Sequence, residues 1–299
     1  MPRYAVIDSA QRPHFDERLS RLGARCCSLF EGHAEASLGD IAALLVAYPE
    51  TGTDVSPTLA VEIAQLATDR PAVSLYWSAL DLQALARHFR AFHLARVPER
   101  GGSEMLLRWY DTRILPALMD VFTPAQRAAL LQGIQCGQYY DRFGDLHELA
   151  WTGLPDGELP ALPPLQLDPA QYQALLEACE PDVVIAQLRR VIPDEMRRLE
   201  RRVLYSFVSA AVQDTLAHGV QQTDDHVQYA LLALYTSGGF RSHPAVVQRM
   251  ARHRDAHEQP FSDWVIDLPE DIWLSGTPLW EGDVAHTPAP PPAEAGEWR

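Results

Sequence analysis

Short apolar runs alternate with helical patterns through the first half of the chain. YAVID (Tyr4 to Asp8), CCSLF (Cys26 to Phe30), LLVAY (Leu44 to Tyr48), AVSLYW (Ala72 to Trp77), HLARV (His93 to Val97) and EMLLRWY (Glu104 to Tyr110) each have strand length and strand composition. Between them, Pro57 after Ser56 opens one helix. Ser78 is read as the cap of another, in which Leu82, Leu85, Ala86 and Phe89 share a face. Gly101-Gly102 predicts a hairpin between the last two strands, and Gly144 a second one joining QCGQYYD to LHELAW. This pattern predicts a mixed α/β lobe over residues 1–152.

From Gly153 to Pro169 the sequence is Pro-rich and aperiodic, which predicts a linker. Apolar residues then recur at spacings of three and four over 169–179, 182–191, 194–218, 224–237 and 243–257, predicting an all-α second lobe over 170–284. Residues 285–299 read as a flexible tail too poor in apolar residues to bury a core. The expected architecture is therefore two-lobed.

Composition narrows the function classes. The 299 residues are 47% hydrophobic and carry 40 acidic against 25 basic residues, a formal net charge of -15, and every basic residue is Arg. The excess is uneven: 14 Arg against 18 acids up to Thr152 (net -4), then 11 Arg against 22 acids (net -11). Such a chain is a poor partner for nucleic acid or an anionic membrane. Cys26, Cys27, Cys136 and Cys179 form no CxxC pair, and MPRYAVIDSA lacks the apolar core of a signal peptide. With no apolar window of membrane-spanning length, a cytoplasmic protein with reduced thiols is expected.

Chemistry-bearing motifs are sparse. A lysine-free chain cannot hold a GxxxxGK[ST] phosphate loop, and GxGxxG and GxSxG are also missing, so no cofactor is expected. His253 and His257 have zinc-ligand spacing but no adjacent glutamate. His88 and His93 share no helical face, and Asp224, Asp225 and His226 fit a helix start, so no metal is expected either.

Two polar groups stand out. In LLRWYDTRIL (Leu106 to Leu115) an apolar run ends in Arg108, Tyr110, Asp111 and Arg113. A catalytic Asp needs a His or a second carboxylate beside it, and no sequence neighbour supplies one. Asp111 is instead expected to cap a helix beginning near Thr112 while an Arg grips it in a fork, a structural corner that supports a binding surface. The second group is RRVIPDEMRRLERR. There Arg190, Arg197 and Arg201 can share a helical side; such a run reads first as a solvated, self-paired helix with Asp194 and Arg198 in i,i+4 order, and alternatively as a docking face for an acidic protein, with Arg198 and Arg202 in the candidate set.

These segments carry a family likeness. YAVIDSAQ, CCSLFEG with LLVAYPE, SALDLQALARHFR and LLRWYDTRIL resemble, in order and spacing, the effector-adaptor chaperones of bacterial type VI secretion systems. That family shows a strand ending in an Ile-Asp-Ala type turn, a Ser-initiated helix ending in His-Leu-Arg, and a strand ending in Arg-Phe-Tyr-Asp-Pro-Arg. The second element falls on Ser78, His88 and Arg90, and the third on Arg108, Trp109, Tyr110, Asp111 and Arg113. Phe89, Trp109 and Thr112 depart from the pattern, and the likeness covers about Tyr4 to Asp141.

The resemblance implies a non-enzymatic cytoplasmic adaptor that binds a cognate toxic effector and helps load it onto the VgrG spike, with or without a PAAR-type tip. Ser78, His88, Arg90, Arg108, Tyr110, Asp111 and Arg113 would then form one polar cluster fixing the first lobe. The competing readings are an acid/base hydrolase using Asp111 with His88, which requires the two to converge, and a structural secretion component.

Overall fold

The computed structural model describes residues 1–48, 57–97, 101–149, 159–252 and 259–282. Its contacts divide the chain into two units, Met1–Ala178 and Cys179–Arg299. The first is mixed α/β and the second mostly helical.

The first unit is built on a six-stranded sheet of β1 (Arg3–Asp8), β2 (Cys26–Ser28), β3 (Ala43–Ala47), β4 (Val73–Ser78), β7 (Ile134–Tyr140) and β8 (Leu146–Glu148). The order is β2-β3-β1-β4-β7-β8, and every neighbouring pair is antiparallel. The central strands β1, β3 and β4 are buried along nearly their whole length because helices cover both faces. Tyr4 and Val6 of β1 enter one core with Leu82, Leu85 and Phe89 of α3 (Leu82–Arg90). Ala5 and Ile7, pointing the other way, enter a second core with Phe15 and Leu19 of α1 (Phe15–Arg21) and Leu59, Ile63 and Leu66 of α2 (Pro57–Asp69). Buried on both sides, such strands lose the apolar-polar alternation of a half-exposed sheet.

A smaller sheet pairs β5 (Leu94–Val97) with β6 (Ser103–Leu106) through the Gly101-Gly102 turn, where both glycines have positive φ. β7 and β8 close around Gly144 in the same way. EMLLRWY is a strand only to Leu106. Trp109 and Tyr110 are both buried, which consecutive residues of a strand facing one core cannot be, so the chain leaves the sheet. The short helices α4 (Leu115–Val121) and α5 (Pro124–Leu130) follow. Of the stretch expected as a linker, 153–158 lie outside the described residues. At its far end, Leu165–Gln166 forms β9, parallel to β5, with Leu165 and Leu167 in the core.

Three helical expectations change. The helix after β4 is capped by Asp81, which accepts from Ala84 N, and not by Ser78. The two predicted segments 169–179 and 182–191 are one helix, α6 (Pro169–Val191), which continues through buried Pro181. Proline usually breaks a helix by removing one hydrogen bond and crowding the preceding turn. Here Leu175 packs in one core and Val184, Ile185 and Leu188 in another, offsetting that cost on either side. The predicted 194–218 segment is two helices, α7 (Pro193–Arg198) and α8 (Arg201–Ala217). Leu199 is extended between them, and Glu200 caps α8 by accepting from the N–H groups of Arg202 and Val203.

In the second unit α9 (Thr223–Thr236) is the central helix, buried on nearly every side by Val227, Tyr229, Ala230, Leu232, Ala233 and Leu234. α10 (Pro244–Arg252), α11 (Phe261–Trp264) and α12 (Glu270–Trp273) complete it. The tail expected over 285–299 lies outside the described residues. Among the described residues no helix is long and apolar enough to cross a membrane.

Candidate functional site

The stretch after β6 forms a corner with an apolar and a polar half. Trp109 packs on Phe89 at a ring separation of 4.6 Å and on Tyr76 at 6.4 Å, anchoring the segment in the core. On the polar half, Arg108 donates to Asp8 Oδ2 at 2.8 Å and lies 3.4 Å from Asp111 Oδ2. Arg113 forks onto Asp111, Nε to Oδ1 at 2.9 Å and Nη2 to Oδ2 at 2.7 Å. Two carboxylates and two guanidiniums thus neutralise one another where β1 ends and α4 approaches. Arg142, from the β7–β8 turn, donates to Arg113 O at 2.9 Å.

Burial decides the electrostatics. Asp8 is fully buried (0% exposed), and burial pushes its pKa up although Arg108 and the N–H of Ala10 pull it back. Arg108 remains 38% exposed, and the attraction of Asp8 and Asp111 outweighs its own burial, so its pKa rises. The two shifts differ in what they say of the pair. Arg108, half in water, gains from two carboxylates, whereas Asp8 bears the full cost of leaving water for one strong partner. Burial also raises the Tyr110 hydroxyl, whose ring lies 6.0 Å from the Arg108 guanidinium.

Asp111 acts at the start of α4, but the helix begins at Leu115, three residues later than expected. The Asp111 carboxylate accepts from Arg113 N, and its carbonyl from the N–H groups of Ile114 and Leu115. This local turn spends the carboxylate on backbone as well as on arginine.

Ser78, His88 and Arg90 do not join this corner. Ser78 ends β4 and donates to Gly133 O at 2.8 Å. His88 Nε2 donates to Leu130 O at 2.8 Å, and burial holds the imidazole below its usual range. Arg90 donates twice to Ser28 O, at 3.0 and 2.7 Å, and pairs with Glu31. Two positions apart on α3, His88 and Arg90 face different neighbours. The single seven-residue cluster is therefore an Arg108-Tyr110-Asp111-Arg113 corner and three separate tethers. The convergence of Asp111 with His88 that hydrolase chemistry needs is not among the contacts of either side chain.

Two buried polar residues of the first unit were not assigned their partners by the sequence reading. Asp8 lies 100 residues from Arg108 in sequence, and its one signal was its place in the turn after β1. His93 is buried, bonds Glu35 at 2.9 Å and stacks on His33 at 4.1 Å. Nothing in the local sequence links these three.

Asp141, Asp145 and His147 bring ligand atoms within 4.8 Å of one another. Asp141 already accepts from the N–H groups of Phe143 and Asp145 and from His147, so the group closes the β7–β8 turn. Asp225 and His226 diverge: Asp225 accepts from Ser262 N, while His226 meets Glu180 and Val220 O. His253 and His257 lie outside the described residues.

The arginine run occupies three helix ends and not one face. Arg189 and Arg190 close α6, Arg197 and Arg198 close α7, and Arg201 and Arg202 open α8. Arg197 pairs with Asp194 at 2.6 Å, and Arg198 donates to Trp280 O at 3.2 Å.

Residues 3–129 match the model of a family described as a domain of unknown function, DUF4123. The match runs from β1 into α5 and so takes in the whole polar corner. Searches of curated proteins and of solved structures return no match.

Proposed function

We propose that this chain is a non-enzymatic adaptor chaperone of type VI secretion. It binds a cognate toxic effector in the cytoplasm and helps load it onto the VgrG spike or its PAAR-type tip. The observation that carries this reading is the family match over residues 3–129, since that domain is generally associated with such adaptors. The motif residues agree with it. The ionisable groups of LLRWYDTRIL are engaged with one another and with backbone, the work of a scaffold and not of a reacting group. In this reading the corner fixes the first unit and partners dock on surfaces it supports, while the arginine-bearing second unit contributes effector specificity.

The test is co-expression of the tagged chain with the protein encoded immediately downstream, followed by size-exclusion chromatography with light scattering. A stable co-eluting complex of defined stoichiometry is expected. A chain that elutes alone while its neighbour stays soluble without it would remove the effector-loading reading.

A further inference from the structure

Residues 189–204 carry six arginines against three carboxylates, Asp194, Glu195 and Glu200. The rest of the chain from Cys179 carries five arginines against fifteen carboxylates. This local reversal of charge coincides with a cavity of about 360 Å³. Its apolar floor is formed by Met196, Leu199 and Leu204, all nearly buried. Arg189, Arg197 and Arg201, all exposed, also line it. They come from three successive helices and converge because the chain turns at Ile192 and again at Leu199–Glu200.

Two of the three carboxylates have defined engagements. Glu200 is spent on the first turn of α8, and Asp194 holds Arg197 through a mostly solvated i,i+3 pair that a partner's carboxylate displaces at little cost. Of the five arginines singled out in sequence, Arg190 and Arg202 do not line the cavity and Arg198 ties down Trp280 O. The recognising set is Arg197 and Arg201 together with Arg189.

We infer that this cavity is a docking site for an acidic amphipathic segment of the effector. One large apolar side chain enters over Met196, Leu199 and Leu204, and Asp or Glu residues about one helical turn to either side meet the arginines. The inference rests on the adaptor reading for the identity of the partner. Charge complementarity selects the occupant: the surrounding acidic sequence repels the same segment, so the arginine patch fixes where and in which orientation it binds. An apolar floor ringed by Arg is also the arrangement from which interface anchors draw most of their affinity. A nucleic-acid backbone would instead need a basic track, and the acidic remainder opposes one.

Fluorescence anisotropy with the full chain reads the site without the effector. The probe is a labelled synthetic helical peptide with one Trp flanked by Glu three and four residues away on both sides. Binding is expected to weaken as salt rises and to drop about tenfold or more in the R189E/R197E/R201E variant. Should that variant melt early, R189Q/R197Q/R201Q is expected to lose most of the same affinity with its melt intact. Parent-like peptide affinity in a folded variant overturns the proposal, as does an oligonucleotide that binds tighter than the peptide. In co-expression with the downstream-encoded protein, capture by the parent and not the variant supports both readings. Equal capture by both overturns this site and leaves the adaptor reading. Absence of capture by the parent while the peptide still binds removes the adaptor reading and keeps the chemistry of the site.

Discussion

Replacing Asp111 by Ala removes the residue on which the polar corner turns. Its carboxylate is 2% exposed, takes both arms of the Arg113 fork, faces Arg108 at 3.4 Å and accepts the backbone N–H of Arg113. Breaking a fully buried ion pair from one side costs about 3–5 kcal/mol. Here the guanidiniums that lose Asp111 are not fully buried, at 26% exposed for Arg113 and 38% for Arg108, and Arg108 keeps Asp8. Both can rehydrate in part, which brings the expected cost of Asp111→Ala down to about 2–3 kcal/mol. Asp111→Asn keeps an acceptor for the backbone N–H and for Arg113 but loses the charge, and should cost about half as much. At roughly 2–4 °C per kcal/mol for a unit of this size, the Ala variant should melt about 4–12 °C lower. Scanning calorimetry of the full chain, with urea unfolding followed by circular dichroism, measures both variants, and, on the proposed adaptor role, capture of the downstream-encoded protein should weaken in step with stability. An Ala variant within about 0.5 kcal/mol of the parent, the range of an ordinary surface substitution, would refute the argument.

Two further predictions follow from burial and close packing. His33 and His88 are both held below the usual imidazole range, mainly by burial, so below about pH 6.5 the unfolded chain takes up protons that the native chain refuses. Stability should therefore fall as pH drops from about 7 to 5.5, and His33→Gln with His88→Gln should flatten that slope in urea titrations at each pH. Asp8 has the opposite sign, because its raised pKa costs stability as pH rises from 3.8 through the folded value; an unchanged slope in the histidine double variant would be contrary to the account. In the second unit, a Cβ on Gly276 would stand 2.0 Å from Thr236 O, whereas one on Gly39 meets open space. Gly276→Ala should cost more than about 2 kcal/mol and Gly39→Ala almost nothing, measured by thermal melting; equal melts would discount the close approach at the end of α9.

What the sequence made legible depended on how local the cause was. The apolar runs of β1, β3 and β4 were readable because both faces of the sheet are covered, so the only polar residue inside them is the small, buried Ser74. The turns at Gly101-Gly102 and Gly144 were readable from the positive φ that glycine allows. Arg108, Asp111 and Arg113 sit within six residues, so their mutual pairing could be foreseen. Asp8 could not be added to them, because only folding brings position 8 to position 108. The reverse error put His88 and Arg90 in the same cluster: the family motif set them together, and their different partners, Leu130 O and Ser28 O, meet them only in the folded chain. Ser78 and Asp81 are both good caps three residues apart, and only the N–H of Ala84 decides between them. Pro181 announced a break that packing on both sides overrides, while the unforeseen break inside 194–218, at Leu199–Glu200, carries no proline or glycine.

The central claim is loading, and its most direct measurement uses an immobilised VgrG spike offered the purified downstream-encoded protein with and without this chain. The account predicts that the candidate effector is retained on the spike only when the chain is present, and that retention falls with the Asp111→Ala variant. Equal retention in the absence of the chain would contradict it.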